Sequence, residues 1–250
     1  MAAWEVGVFS ELPGYLADKA NRFGCFVDTS ILFSETYTLD RLNEEADMAF
    51  DLLVELDVPV FTNINVRAEF LEAHRRVLIA ECLIDFLDEP GINFDGVLFE
   101  KLKSHRTAYR RRIVEEKSAK MELSQIKMFR KMLLSQRSRY GNAWELFCRD
   151  YLLKKMEAVW PQAENELGLN FISLRSGDRS PYLNTLPEWS GAVRLMGQYG
   201  IGSADAMILN MFLCSKLPFL LTADEEMADC AVKESKGTKR IFIPDSATRA

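Results

Sequence analysis

Strand-length apolar runs alternate in this chain with helix-length amphipathic ones, and that order constrains the fold more than any other feature. Gly24-Cys25-Phe26-Val27 is a short apolar run bounded by a glycine and by the polar turn Asp28-Thr29-Ser30, the pattern of a buried strand. Leu39, Leu42, Ala46, Ala49, Phe50, Leu53 and Leu56 then recur near helical spacing, and Pro59 marks the exit into a second strand over 58–61. Helices over 65–88 lead into a long stretch, 95–168, rich in Ala, Glu, Lys, Arg, Leu and Met, with Gly141 as a break between two long helices. Beyond it the alternation resumes: a strand over 170–174, a polar loop from Arg175 to Pro181, and helices over 187–198 and 203–216. A strand over 218–222, a helix over 224–235 and a last strand over 240–243 complete it. Strands and helices in this order predict an α/β fold with a central parallel sheet flanked by helices, whose ligands sit at the strands' carboxyl rim.

Four carboxylates fall where such a fold would present them at that rim. Asp28 ends the first apolar run, Glu69 lies at the start of the helix after the second strand, Asp205 sits in Ser203-Ala204-Asp205-Ala206, and Asp224 follows Pro218-Phe219-Leu220-Leu221-Thr222. Each has an ordinary structural role as well. Asp28 and Asp224 are placed to cap the next helix, Asp205 complements a helix dipole, and Glu69 competes with Glu72 one turn away, where surface salt bridging would explain either. Together they mean more, because unit charges about 4 Å apart repel by roughly 1 kcal/mol in water and roughly 4 at an effective dielectric near 20. Such a group either takes up protons or holds a hard cation, magnesium or manganese, through oxygen ligands. Ser30, Thr222 and Asp229 are the candidates for phosphate or supporting contacts. Gly200-Ile201-Gly202 before Asp205 lets the chain turn closely against a ligand.

These segments resemble the PIN-domain nucleases. Phe26-Val27-Asp28-Thr29-Ser30-Ile31-Leu32 is similar to that family's first strand and acidic turn, and Val66-Arg67-Ala68-Glu69-Phe70-Leu71 to its second acidic position. Ser203-Ala204-Asp205-Ala206-Met207-Ile208 is similar to the third, and Leu221-Thr222-Ala223-Asp224 to the Thr-x-Asp of the fourth. The resemblance implies a PIN-like three-layer fold over 1–250, with 95–168 as a helical insertion that lengthens the path from Glu69 to Asp205. It also implies a divalent-metal-dependent endoribonuclease in which Asp28, Glu69, Asp205 and Asp224 are both catalytic residues and metal ligands, leaving a 5′-phosphate and a 3′-hydroxyl. An antitoxin or other protein partner, or a second copy of the chain, is compatible with such a protein. The rival reading is an inactive PIN-like module that docks RNA or protein through its helical insert.

Charge is divided unevenly. Residues 101–139 hold thirteen Lys and Arg against three Glu, a net of +10, which leaves −16 on the rest of a chain whose total is −6. Within that arm Arg110, Arg111, Arg112, Lys127, Arg130 and Lys131 are the candidates for contacts to a nucleic-acid backbone, the alternative being a solvated helix face. Met121, Ile126, Phe129 and Leu133 read as helix packing or a dimer contact. Tyr109, Tyr140, Trp144 and Phe147 read as core or as platforms for unpaired bases.

Other classes lose their signatures here. A dehalogenase-type phosphatase wants a second Asp where Ser30 stands, and no GxGxxG marks a dinucleotide enzyme. Five cysteines without a CxxC pair imply neither a disulfide frame nor a zinc site. His74 and His105, on charged helical stretches, read as ordinary residues. An apolar content of 48% suffices for a core, no apolar run approaches about 18 residues, and Met1 to Tyr15 lacks a basic leader, so the expectation is a cytoplasmic protein without a membrane span.

Overall fold

The computed structural model describes residues 6–90, 92–138, 141–173 and 182–247. The expected loop from Arg175 to Pro181, and Leu174, Arg139 and Tyr140, lie outside the described residues. The chain divides into two compact units, one made of Met1–Thr38, Leu42–Phe70 and Ala163–Ala250, the other of Leu39–Arg41 and Leu71–Gln162.

The first unit opens with β1 (Gly7–Val8), α1 (Leu12–Leu16), β2 (Cys25–Val27), α2 (Thr29–Thr36), α3 (Asn43–Glu55) and β3 (Val60–Thr62). Through α4 (Ile64–Phe86) the chain passes into the second unit, with α5 (Gly96–Val114), α6 (Leu123–Leu134), β4 (Arg137–Ser138), β5 (Gly141–Asn142) and α7 (Ala143–Phe147). It returns along α8 (Leu153–Glu166). The first unit then closes with β6 (Asn170–Phe171), α9 (Trp189–Tyr199), α10 (Ser203–Cys214), β7 (Phe219–Leu221), α11 (Glu225–Ser235) and β8 (Arg240–Ile243).

Six strands form one parallel sheet in the order β1-β8-β7-β2-β3-β6. The fold is therefore α/β, a parallel sheet flanked by helices. Every residue of β2, β3 and β7 is buried, and all but Thr62 at the end of β3 are apolar, so these strands do not alternate, as a sheet covered on both faces requires. From β2 the chain builds outward through β3 and β6, then crosses back to lay β7 and β8 on the opposite side of β2. The order reverses between β2 and β7, and crevices at such reversals, outside the strands' carboxyl ends, are where open α/β sheets bind ligands.

Local differences from the sequence reading have plain causes. β1 carries only two residues, too few to show alternation, and exists by pairing Gly7 with Phe242 and Val8 with Ile243 at the sheet edge. Leu39 and Leu42, in phase with the α3 stripe, precede that helix, and Leu42 is buried just outside it. α2 follows directly on β2 because Asp28 caps it, its side chain accepting from the Ser30 amide. Gly141, with φ of 120°, lies in the β4–β5 hairpin between α6 and α7, a conformation that L residues rarely adopt.

The second unit has its own core, in which Phe86 meets the rings of Phe94, Phe147 and Tyr151 at centroid distances of 5.7, 5.3 and 5.2 Å. Met121, Ile126, Phe129 and Leu133 are buried in that core, Phe147 with them, and Trp144 and Tyr109 pack against it half-buried. His105 Nε2 lies 2.7 Å from the Ala80 carbonyl. Burial lowers the proton affinity of His74, to a pKa of about 4. All five cysteines are free thiols. No helix among the described residues is long and apolar enough to cross a membrane.

Phe26 is fully buried in the middle of β2, against Phe212 at 6.1 Å between centroids. Phe26→Ala should cost about 3–5 kcal/mol of unfolding free energy. Denaturant titration followed by circular dichroism reads it, and a loss under about 1 kcal/mol would mean that the β2 core repacks without it.

Candidate functional site

The site is built on one carboxylate. Asp28 is 3% exposed, its amide donates to the Leu221 carbonyl at 2.9 Å, and its Oδ2 accepts from Ser30 Oγ at 2.6 Å and from Thr222 Oγ1 at 3.0 Å. A buried carboxylate without donors would cost several kcal/mol. Here one donor comes from α2 and the other from the end of the neighbouring strand β7, so the bonds that satisfy Asp28 also tie β2 to β7 at the point of reversal. The ties continue outward: the Ala223 amide donates to Ser30 Oγ at 2.9 Å and the Asp224 amide to Thr222 Oγ1 at 3.0 Å. Asp224 Oδ1 accepts from the Met227 amide at 2.9 Å, so it caps α11 while standing at the rim.

Glu69 lies in the second turn of α4, and its Oε2 accepts from Thr29 Oγ1 at 3.0 Å. Glu72, the competing acid, pairs instead with Arg75 at 2.7 Å. Asp205 occupies the first turn of α10, and a Cβ at Gly202 would stand 2.7 Å from its Oδ2, so the glycine leaves room for the carboxylate to turn back over the helix start.

Two of the four acids, Glu69 and Asp205, feel the charges of the others. Burial raises the proton affinity of Asp28, opposed by the hydroxyls of Ser30 and Thr222. Burial also raises Glu69, opposed by Thr29 and reinforced by the charges of Asp205, Asp28 and Asp224. Asp205 is raised by burial and then by Asp224 and Asp28. The sequence-derived acids thus share one electrostatic neighbourhood although they come from β2, α4, α10 and the end of β7. Ser30 and Thr222 hold Asp28, whereas Asp229 stands on the exposed side of α11 and is not among the charges that raise the acids.

The donor set is chemically that of a magnesium or manganese site, hard oxygens whose mutual repulsion a dication would relieve. Its spacing is wider than a chelate: among the described residues no group of three or more His, Cys, Asp or Glu side chains is gathered closely enough to hold a metal ion.

Two residues escaped the sequence reading. Thr29, which orients Glu69, gave only a turn signal. Asn63, fully buried at the end of β3, accepts from the Asn65 and Val66 amides at 3.0 Å each and starts α4, while its Nδ2 has no hydrogen-bond partner among the described residues. Asn at a strand-to-helix junction is an N-cap signal that could have found it.

Arg110, Arg111 and Arg112 are exposed on α5, and Lys127, Arg130 and Lys131 are exposed on α6, where they line a shallow basin of about 500 Å³ with Leu134 and Ser135. These six belong to the second unit. No protein-family model, curated protein or solved structure matches this chain.

The electrostatics set a pH dependence. Asp28, Glu69 and Asp205 bind protons more tightly folded than unfolded, so their contribution to stability is fully present below about pH 4 and is lost as pH rises through their raised values. Without divalent metal, Asp205→Asn should raise the melting temperature at pH 7.5, by on the order of 2 °C, and leave it nearly unchanged at pH 4. Melting curves at the two pH values check this, and an equal shift at both would mean that Asp205 feels no neighbouring charge.

Proposed function

We propose that this chain is a metal-dependent phosphodiester hydrolase of the PIN-like kind that cleaves RNA, with Asp28, Glu69, Asp205 and Asp224 as its catalytic acids. The observation that carries the reading is their gathering at the sheet's reversal point, where Glu69 and Asp205 are raised first by burial and then further by the charges of the other acids. Acids that perturb one another in a crevice mark functional sites more often than structural ones. The four do not chelate an ion as they stand; a magnesium or manganese ion that drew them together would lower the pKa of an attacking water and neutralise charge developing on the phosphate.

The chain's own groups have definite parts in this reading. Ser30 and Thr222 favour the ionised form of Asp28 against its burial by donating to its Oδ2, which leaves Oδ1 outside both hydroxyl bonds. Thr29 orients Glu69 through Oε2. The exposed arginines and lysines of α5 and α6 add affinity for the phosphate backbone without reading sequence.

Asp28→Asn keeps an acceptor for Ser30 and Thr222 and removes the charge. It should slow cleavage of labelled single-stranded RNA by about a hundredfold or more, and wild type should need magnesium or manganese and stop with chelator. The assay includes duplex RNA and DNA and identifies the product ends. A folded Asp28→Asn protein that cuts at the wild-type rate would remove the assignment, and a wild type that cuts nothing under any condition would leave the chain as a binding module.

Replacing Arg110, Arg111 and Arg112 with Ala should weaken binding equally across sequences. The steepness of log K against log salt should fall by about 0.7 for each phosphate that is no longer neutralised. An unchanged slope in fluorescence anisotropy titrations would make this arm a solvated face.

A further inference from the structure

Next to the acids the first unit holds a groove of about 630 Å³ that hydrolysis by the four carboxylates leaves unused. Ile64, Asn65 and Arg67 of α4 line it, with Phe171 at the end of β6, Trp189 at the start of α9 and Met207 of α10. Asn65 and Glu69 are four residues apart on α4, so they share a face with Cβ atoms about 5–6 Å apart. The groove therefore begins one helical turn from a catalytic acid.

Its walls make poor sense as packing. Trp189 is 64% exposed and Phe171 38% exposed, and Ile64 and Val193 are exposed as well. Val193 lies one turn after Trp189 on the same side of α9. An exposed apolar cluster of this kind marks a binding surface, since burying a tryptophan is among the largest gains folding offers.

Trp189 is nonetheless held on a fixed platform. Asn210 Nδ2 of α10 donates to the Glu188 carbonyl at 2.9 Å, and α9 lies so close to Asn210 that a Cβ at Gly191 would stand 2.4 Å from its Oδ1. Glu188, the acid lining the groove, accepts from Ser190 Oγ at 3.2 Å, and Arg67 gives the opposite wall a cation.

We infer that this groove seats one unpaired nucleobase of the substrate, stacked on Trp189 with Phe171 as the second wall, and so selects a single strand over a duplex at the cleavage position. The inference rests on the phosphodiester reading for its substrate. A flat π-face suits Trp189, the amide of Asn65 can meet a base edge, and Arg67 can meet the adjoining phosphate. In a duplex the base faces are already stacked on one another and cannot lie against a ring fixed to the protein.

The test uses the full chain with labelled unpaired RNA and DNA ten-mers and their duplexes in chelator, so that binding is read without cleavage. Wild type should bind unpaired strands more tightly than duplexes and show quenched tryptophan fluorescence on binding. Trp189→Ala should weaken the unpaired strands roughly 5- to 150-fold and leave duplex binding unchanged, and Trp189→Phe should restore most of the affinity. Equal affinities of wild type and Trp189→Ala for the unpaired strand, with no quenching in wild type, would overturn the inference, and the groove would then belong to a protein partner. Cleavage with magnesium is measured separately. Trp189-dependent binding without cleavage sinks hydrolysis and keeps the groove, while cleavage that ignores Trp189 sinks the groove and keeps hydrolysis.

Discussion

A single oxygen, Asp28 Oδ2, organises the rim of the sheet. It accepts from Ser30 and Thr222, which stand at different strand ends, and those two hydroxyls in turn receive the amides of Ala223 and Asp224. Hydrogen bonds to a charged acceptor contribute about 1.5–3 kcal/mol each, which offsets part of the desolvation of the carboxylate and fixes the backbone around it. The neighbouring acids then take their places from elements that this link positions: Asp224 by the turn after β7, Glu69 through Thr29. Asp205 arrives independently, on the helix that precedes β7.

Charge works on two scales in the molecule. At the rim the acids are buried or half-buried and their repulsion is short-ranged, so salt screens it little. The basic side chains of α5 and α6 are exposed, and their attraction for a polyanion decays over about 8 Å at physiological ionic strength. Ionic strength should therefore weaken any attraction of those side chains for a polyanion while leaving the state of the acids nearly constant. The net of −16 outside 101–139 is shared by the first unit and the rest of the second, so a polyanion approaching the first unit still meets general repulsion, which places a premium on specific apolar contacts there.

Much of the fold was legible because its central strands are apolar throughout and bounded by turn residues. Cys25–Val27 and Phe219–Leu221 fall inside the runs that end on Asp28 and Thr222. The Gly7–Val8 strand was not legible, since two residues carry no period, and neither was α2, whose start depends on a cap that also reads as a turn. Of the site, the four acids could be read by position relative to strands and helices. Ser30 and Thr222 could be read as supporting contacts, but Thr29 could not, because only the register of β2 beside β7 brings the Thr222 hydroxyl to Asp28 and leaves that of Thr29 for Glu69. The groove was invisible for the same reason: Phe171 and Trp189 meet Ile64 only once β6 has paired with β3.

The pairing of β2 with β7 joins Cys25 to Phe219 and Val27 to Leu221, so the middle of the sheet is closed by residues from opposite ends of the chain. Chain entropy opposes such distant closures only logarithmically, but it postpones them, and local helices and the Phe86 core can form first. On a ribosome the earlier segments emerge first, and Asp28 and Glu69 must wait, without Thr222 or Asp224, until β7 and the turn after it have been made. Any chemistry that needs all four acids is thereby absent from every nascent chain that stops short of Asp224.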